Sequence, residues 1–102
     1  MHYWYMDKSK VKTQTLNSIM GELESLIDGT AQTANYWIDN AHNVSAFIND
    51  NGDDDKWIEI HYELYAHKES WIGDLLLIET EYTDRDELFK AVAIIVDYYY
   101  GD

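Results

Sequence analysis

The chain has no cysteine, which removes a whole set of chemistries. Its 102 residues can form no disulfide bond, no thiolate metal site and no cysteine nucleophile. The five glycines are scattered singly, so there is neither a Gly-x-Ser-x-Gly nucleophile elbow nor a glycine loop that cradles phosphates. We therefore expect a protein that is not an enzyme, with no catalytic residues and no cofactor.

Basic residues are also scarce, since seven Lys and Arg face twenty Asp and Glu and the formal net charge is −13. Lys8, Lys10 and Lys12 lie in the first dozen positions beside one acid, Asp7. Residues 13–102 therefore hold 19 acids against 4 bases, a balance of −15. Such a field repels nucleic acid and anionic lipid and speeds encounter with cationic proteins. We expect a basic protein partner and no direct binding to nucleic acid or membrane.

Long apolar runs are missing too, and no stretch approaches the roughly 20 residues that span a bilayer. Residues 1–6 are aromatic and contain no apolar secretory core. The length suits one domain with a modest core. We expect a single domain over residues 1–102 in the cytoplasm, with residues 1–12 as a flexible or strand-like arm.

Two segments have the apolar spacing of amphipathic helices. The first is predicted over about 15–28, with Thr13 or Thr15 as the cap and Gly29 as the stop. The second is predicted over about 84–100, because acids fill its first turn, where the helix dipole favours negative charge. The apolar positions are Leu16, Ile19, Met20, Leu23, Leu26 and Ile27 in the first, and Leu88, Ala91, Val92, Ile95 and Tyr99 in the second.

Residues 30–49 fit either a helix or a hairpin. Trp37, Ala41, Val44 and Ile48 suit a helix, whereas a turn around 40–43 would make two strands. We favour the helix slightly, because no Gly or Pro interrupts the segment. The run from Asn49 to Asp55 has turn composition.

Strict alternation predicts an antiparallel hairpin with strands at about 56–66 and 71–83. Packing both predicted helices on one face of this small sheet gives an α+β domain. The hairpin would then place Glu59, Glu63, Glu79 and Glu81 together on its outer face. Because like charges across strands repel, this arrangement costs stability unless a partner relieves it.

Two features resemble metal sites, and the sequence argues against both. The first is the acidic loop from Asp50 to Asp55. Counting Gly52 as the sixth position of a calcium-binding loop puts Phe47 first and Ile58 twelfth, where acids are required. His61 lies two residues from Glu59 and from Glu63, which favours a protonated surface histidine over a metal ligand. We expect a solvated acidic turn and no metal site.

Fifteen per cent of the chain is aromatic, which is unusual for so acidic a protein. Trp57 falls on the predicted acidic strand face, and large aromatics ringed by charge are typical of interface anchors. The candidate partner-binding residues are Asp53, Asp54, Asp55, Trp57, Glu59, Glu63, Glu79 and Glu81.

In size, acidity, absence of cysteine and small α+β layout, the chain resembles the phage-encoded DNA-mimic inhibitors, including anti-CRISPR proteins. The resemblance implies an inhibitor that blocks the nucleic-acid-binding surface of a Cas nuclease or restriction enzyme in the bacterial host cytoplasm. It assigns no role to any particular residue. The alternatives are an immunity protein or antitoxin that neutralises a cationic nuclease toxin, and an interaction adaptor or homodimeric subunit.

Overall fold

A computed structural model describes residues 7–101, which form a four-stranded antiparallel sheet flanked by two helices. The strands are adjacent in chain order, as in a meander. This is the α+β class that the sequence predicts. In chain order the elements are α1 (Lys8–Ile27), β1 (Thr33–Trp37), β2 (His42–Asp50), β3 (Lys56–Ala66), β4 (Ser70–Glu81) and α2 (Arg85–Tyr100).

Helix α1 begins seven residues before the predicted start. The Asp7 carboxylate accepts a hydrogen bond from the Ser9 amide at 2.8 Å and so caps the helix. The apolar stripe begins only at Leu16, which is why periodicity missed the first two turns. The prediction of an arm over 1–12 is thus wrong for residues 8–12, and residues 1–6 lie outside the described part. Gly29, with φ of 80°, follows the last turn as expected.

The ambiguous segment is a hairpin, so the preference for a helix is wrong and the alternative is confirmed. Strands β1 and β2 pair from Thr33 opposite Phe47 to Trp37 opposite Asn43. The Asp39 side chain closes the connecting turn by accepting hydrogen bonds from the Ala41 and His42 amides. Local periodicity could not reveal the long-range pairing that decides this segment.

The second predicted hairpin is present as β3 and β4, and the second helix begins one residue after the predicted position. Strand β4 departs from strict alternation twice, because its register shifts after Tyr62 and after Leu64 of β3. Leu75 and Ile72 are the extra residues on β4 at these two bulges.

Both helices pack on the same face of the sheet and against each other. Neither helix within residues 7–101 is long and apolar enough to cross a membrane. The opposite side of the sheet, which we call the outer face, is covered by no other element in the described part of the chain. The buried core consists of Ile19, Met20, Leu23 and Leu26 of α1, Val44, Ala46, Ile58, Ile60 and Tyr62 of the sheet, and Leu88, Ala91, Val92, Ile95 and Val96 of α2.

Asp39 joins the β1–β2 turn to the end of α2. Besides the two amides, its carboxylate contacts His42 Nδ1 at 2.9 Å and accepts a hydrogen bond from the Tyr99 hydroxyl at 2.7 Å. Burial alone would raise the pKa of Asp39, but the hydrogen bonds from Tyr99, His42 and Ala41 outweigh it and lower the pKa to about 2. One carboxylate thus ties the first hairpin to the last helix.

Asp39→Ala should therefore lower the free energy of unfolding by about 1–3 kcal/mol, because several donors lose their acceptor. Tyr99→Phe removes one of these bonds and should cost about 1 kcal/mol. Since the folded pKa is depressed, the contribution of Asp39 is present above the ordinary value of 3.8 and is lost as the pH falls through about 2. Urea unfolding between pH 7 and acid measures both effects; an unchanged midpoint in Asp39→Ala would contradict this role.

Candidate partner-binding face

The outer face carries a row of acidic side chains on β3 and β4. Glu59 lies opposite Glu79, Trp57 lies opposite Glu81, and Glu63 lies opposite an acid that the sequence did not indicate, Asp74. The four glutamates expected on one face do share it. The outer-facing residues are Thr33, Asn35 and Trp37 of β1, Asn43, Ser45, Phe47 and Asn49 of β2, Trp57, Glu59, His61, Glu63 and Tyr65 of β3, and Trp71, Asp74, Leu77, Glu79 and Glu81 of β4.

The positive charges lie mostly in the other layer. Five of the seven Lys and Arg, namely Lys8, Lys10, Lys12, Arg85 and Lys90, belong to α1 and α2. Residues 28–84, which contain the whole sheet, hold thirteen acids against Lys56 and Lys68, a balance of −11. The surplus negative charge is therefore concentrated on the sheet and its loops.

His61 bridges two of the acids on the outer face. Its Nε2 lies 2.7 Å from Glu59 and its Nδ1 lies 2.9 Å from Asp74. A neutral imidazole has one N–H, so only the imidazolium donates to both carboxylates. Burial opposes this charged form, but the hydrogen bonds to Glu59 and Asp74 outweigh it and raise the pKa of His61. The arrangement favours the protonated histidine that the sequence predicts, with Asp74 rather than Glu63 as its second carboxylate partner.

Glu59 is held in place from both sides. Its Oε1 accepts a hydrogen bond from Nδ2 of the Asn49 side chain at 2.9 Å, while its Oε2 faces His61. Only 20% of its side chain is exposed. Glu59 therefore fixes the geometry of the face, and the repulsion expected among the glutamates is partly offset by His61.

Aromatic rings cover the end of the outer face near the β3–β4 turn. The Trp37 and Tyr65 rings meet edge to face, with centroids 4.8 Å apart, and Trp71 lies opposite Tyr65 on β4. Trp71 is 56% exposed. The Lys68 ammonium lies 5.3 Å from the centre of the Trp37 ring. Sequence reasoning missed Trp37 here because it placed that residue in a helix. It also overlooked Trp71, although strict alternation from Glu81 already assigns Trp71 to the outer face.

The other end of the outer face adjoins the acidic turn. Asp53 and Asp54 adopt left-handed backbone conformations, with φ of 52° and 61°, and Asp53–Asp55 are exposed. Asp54 and Asp55 line a shallow recess together with Trp57 and Glu81. Trp57 Nε1 is buried there without a hydrogen-bond partner in the described part of the chain. The three aspartates thus extend the acidic surface beyond the strands.

One group of carboxylates within residues 7–101 is close enough to hold a metal ion, formed by Glu81, Asp84 and Glu87 within 4.8 Å of one another. Two of these carboxylates already accept hydrogen bonds from backbone amides. Asp84 caps α2 by accepting from the Glu87 amide, and Glu87 accepts from the Glu81 amide. The geometry is accounted for by helix capping, so it does not require a metal.

We expect His61 to titrate above the ordinary imidazole value of 6.5. Its contribution to stability is then fully present below about 6.5 and is lost as the pH rises through the raised folded pKa. NMR titration of the imidazole signals measures this pKa, and Asp74→Asn should lower it by removing one acceptor. Titration of His61 below the ordinary value, or no response to Asp74→Asn, would contradict the bridge.

No protein-family model, no curated protein and no solved structure matches this chain. The function proposed below therefore depends on the charges and contacts of its own side chains.

Proposed function

We propose that this protein is an acidic inhibitor that occupies the nucleic-acid-binding surface of a host defence nuclease, of the Cas or restriction type, by mimicking nucleic acid. The observation that carries the proposal is the outer face, an uncovered sheet surface on which Glu59, Glu63, Asp74, Glu79 and Glu81 project in fixed cross-strand register. A nuclease is cationic where it holds phosphates, so such a face competes for the same groups. No chemistry is required of the inhibitor.

The spacing of the acids supports mimicry of a phosphate backbone. Alternate residues on one strand, such as Glu79 and Glu81, lie about 6.6 Å apart, and neighbouring strands add a second row about 4.8 Å away. This spacing is comparable to that of successive phosphates along one strand of a nucleic acid. Arginines of a nuclease groove would engage the carboxylates bidentately, and lysines would meet them as point charges.

Rigidity supports the proposal as well. Glu59 is fixed by Asn49 and His61, and the strands that carry the acids pack their other side into the core. Carboxylates that are already ordered lose little side-chain entropy on binding. The charge balance of −11 over residues 28–84 adds electrostatic steering toward a cationic groove.

The outer face can be tested with a triple variant that leaves Glu59 unchanged. This variant carries Glu63→Gln, Glu79→Gln and Glu81→Gln. The partner is a Cas9-type or restriction nuclease that the wild-type chain inhibits in a cleavage assay. We expect the triple variant to associate with this nuclease at least about tenfold more slowly than the wild-type chain, because electrostatic steering is reduced. Duplex DNA should compete with the wild-type chain for the nuclease. The association rate of the wild-type chain should also decrease steeply as salt rises.

The matched control removes the same number of charges from the helical layer, as Glu22→Gln, Glu24→Gln and Asp97→Asn. Among residues 7–101, Glu24 pairs with Arg85 and Asp97 pairs with Lys12, and both carboxylates are about half exposed, so the fold should tolerate these changes. We expect inhibition by the control to remain within about twofold of wild type, since exposed pairs contribute little. Equal losses in both variants, or binding that DNA does not displace, would contradict action through the outer face.

Self-association is a second candidate, because α2 exposes apolar side chains. Phe89 is 41%, Ile94 is 52% and Tyr98 is 53% exposed. A homodimeric subunit or adaptor would use such groups. Light scattering at low and high salt separates the two candidates, since dimerisation through α2 should persist at high salt, whereas an inhibitor acting through the outer face does not need it.

A further inference from the structure

We propose that the aromatic end of the outer face is an arginine-binding subsite, in which a partner's guanidinium stacks on Trp71 and pairs with Glu63 and Asp74. This inference rests on the proposed function, because it names the group on the cationic partner that the face would bind. It also shifts the expected centre of the interface away from the acidic turn at Asp53–Asp55. The subsite is built from Trp37, Glu63, Tyr65, Trp71 and Asp74.

The two carboxylates and the rings lie in neighbouring cross-strand pairs. Glu63 is opposite Asp74, and Tyr65 is opposite Trp71, so the acidic pair and the aromatic pair are adjacent on β3 and β4. Trp37 reaches this place from β1 by packing on Tyr65. Asn43, which lies opposite Trp37 on β1 and opposite Glu63 on β3, is 1% exposed and donates to the Tyr36 carbonyl oxygen at 3.2 Å. The subsite therefore has an ordered base and an exposed rim.

The acidic pair lacks sufficient positive charge of its own. Within residues 7–101, Glu63 forms no ion pair, and the only cation paired with Asp74 is His61, which also faces Glu59. Burial raises the pKa of Glu63 and repulsion from Asp74 raises it further. These effects outweigh the attraction of His61 and a hydrogen bond with the Trp71 side chain, which already joins the acidic pair to the exposed ring. An added cation would relieve this repulsion.

The rings already attract a cation of this chain. The Lys68 ammonium lies over Trp37, a cation–π geometry. Trp71, with more than half of its surface exposed, has no such partner among the cation–π pairs of the described residues. Its open ring and the adjacent carboxylate pair are complementary to a planar, forked cation that stacks and forms two parallel hydrogen bonds. Arginine has these properties and lysine does not.

The test measures binding of a fluorescent peptide of alternating glycine and arginine, beside matched peptides with lysine or citrulline in place of arginine. The variants are Glu63→Gln and Trp71→Leu, and the control is Glu79→Gln, which removes one charge from the same face outside the subsite. Circular dichroism and thermal melting confirm that each variant is folded. Because a charged hydrogen bond contributes about 1.5–3 kcal/mol, Glu63→Gln should weaken arginine-peptide binding about tenfold or more.

We expect Trp71→Leu to weaken arginine binding at least about threefold, the effect of losing a cation–π contact. Glu79→Gln should change it less than about threefold, as expected for one exposed charge. Equal losses in Glu63→Gln and Glu79→Gln, or equal binding of the arginine and lysine peptides, would overturn the subsite while leaving the acidic face as the inhibitory surface. Loss confined to the Glu63 and Trp71 variants, in a chain that inhibits no nuclease, would support the subsite and overturn the proposed function.

Discussion

One-sided packing of the sheet is the constraint on which the rest of this structure depends. Both helices bury their apolar stripes against the same face and against each other, so all the large apolar side chains of the core lie on that side. The outer face is then free of core packing and can carry charge. This division allows a 102-residue chain with a net charge of −13 to bury a contiguous core.

The acidic part of the outer face is ordered by polar contacts rather than by apolar packing. His61 and Asn49 hold Glu59, and the His61 ring links β3 to Asp74 of β4. These contacts reduce the repulsion that cross-strand acids would otherwise cause. Because these contacts do not neutralise the face, the remaining carboxylates produce a negative electrostatic field that would attract a cationic partner. Stability and the proposed binding of a partner would thus place opposite demands on the same residues.

Much of the fold follows from local patterns, and the errors have physical causes. The helices and the β3–β4 hairpin were predictable because amphipathic periodicity reflects which side is buried. The β1–β2 hairpin was not, because its pairing with β3 is long-range and its local pattern also suits a helix. In the candidate site, Glu59, Glu63, Glu79 and Glu81 were assigned to one face by alternation alone. Asp74 was missed because the bulge at Leu75 turns it to the outer face, whereas strict alternation from Leu76 points it into the core.

The most direct test of the central claim is an NMR map of the isotope-labelled chain in complex with a host nuclease that it inhibits. The account predicts that amide and side-chain shifts change on the outer-facing positions of β3 and β4, and that duplex DNA reverses these changes. Shifts confined to α1 and α2, with the outer face unperturbed, would contradict it.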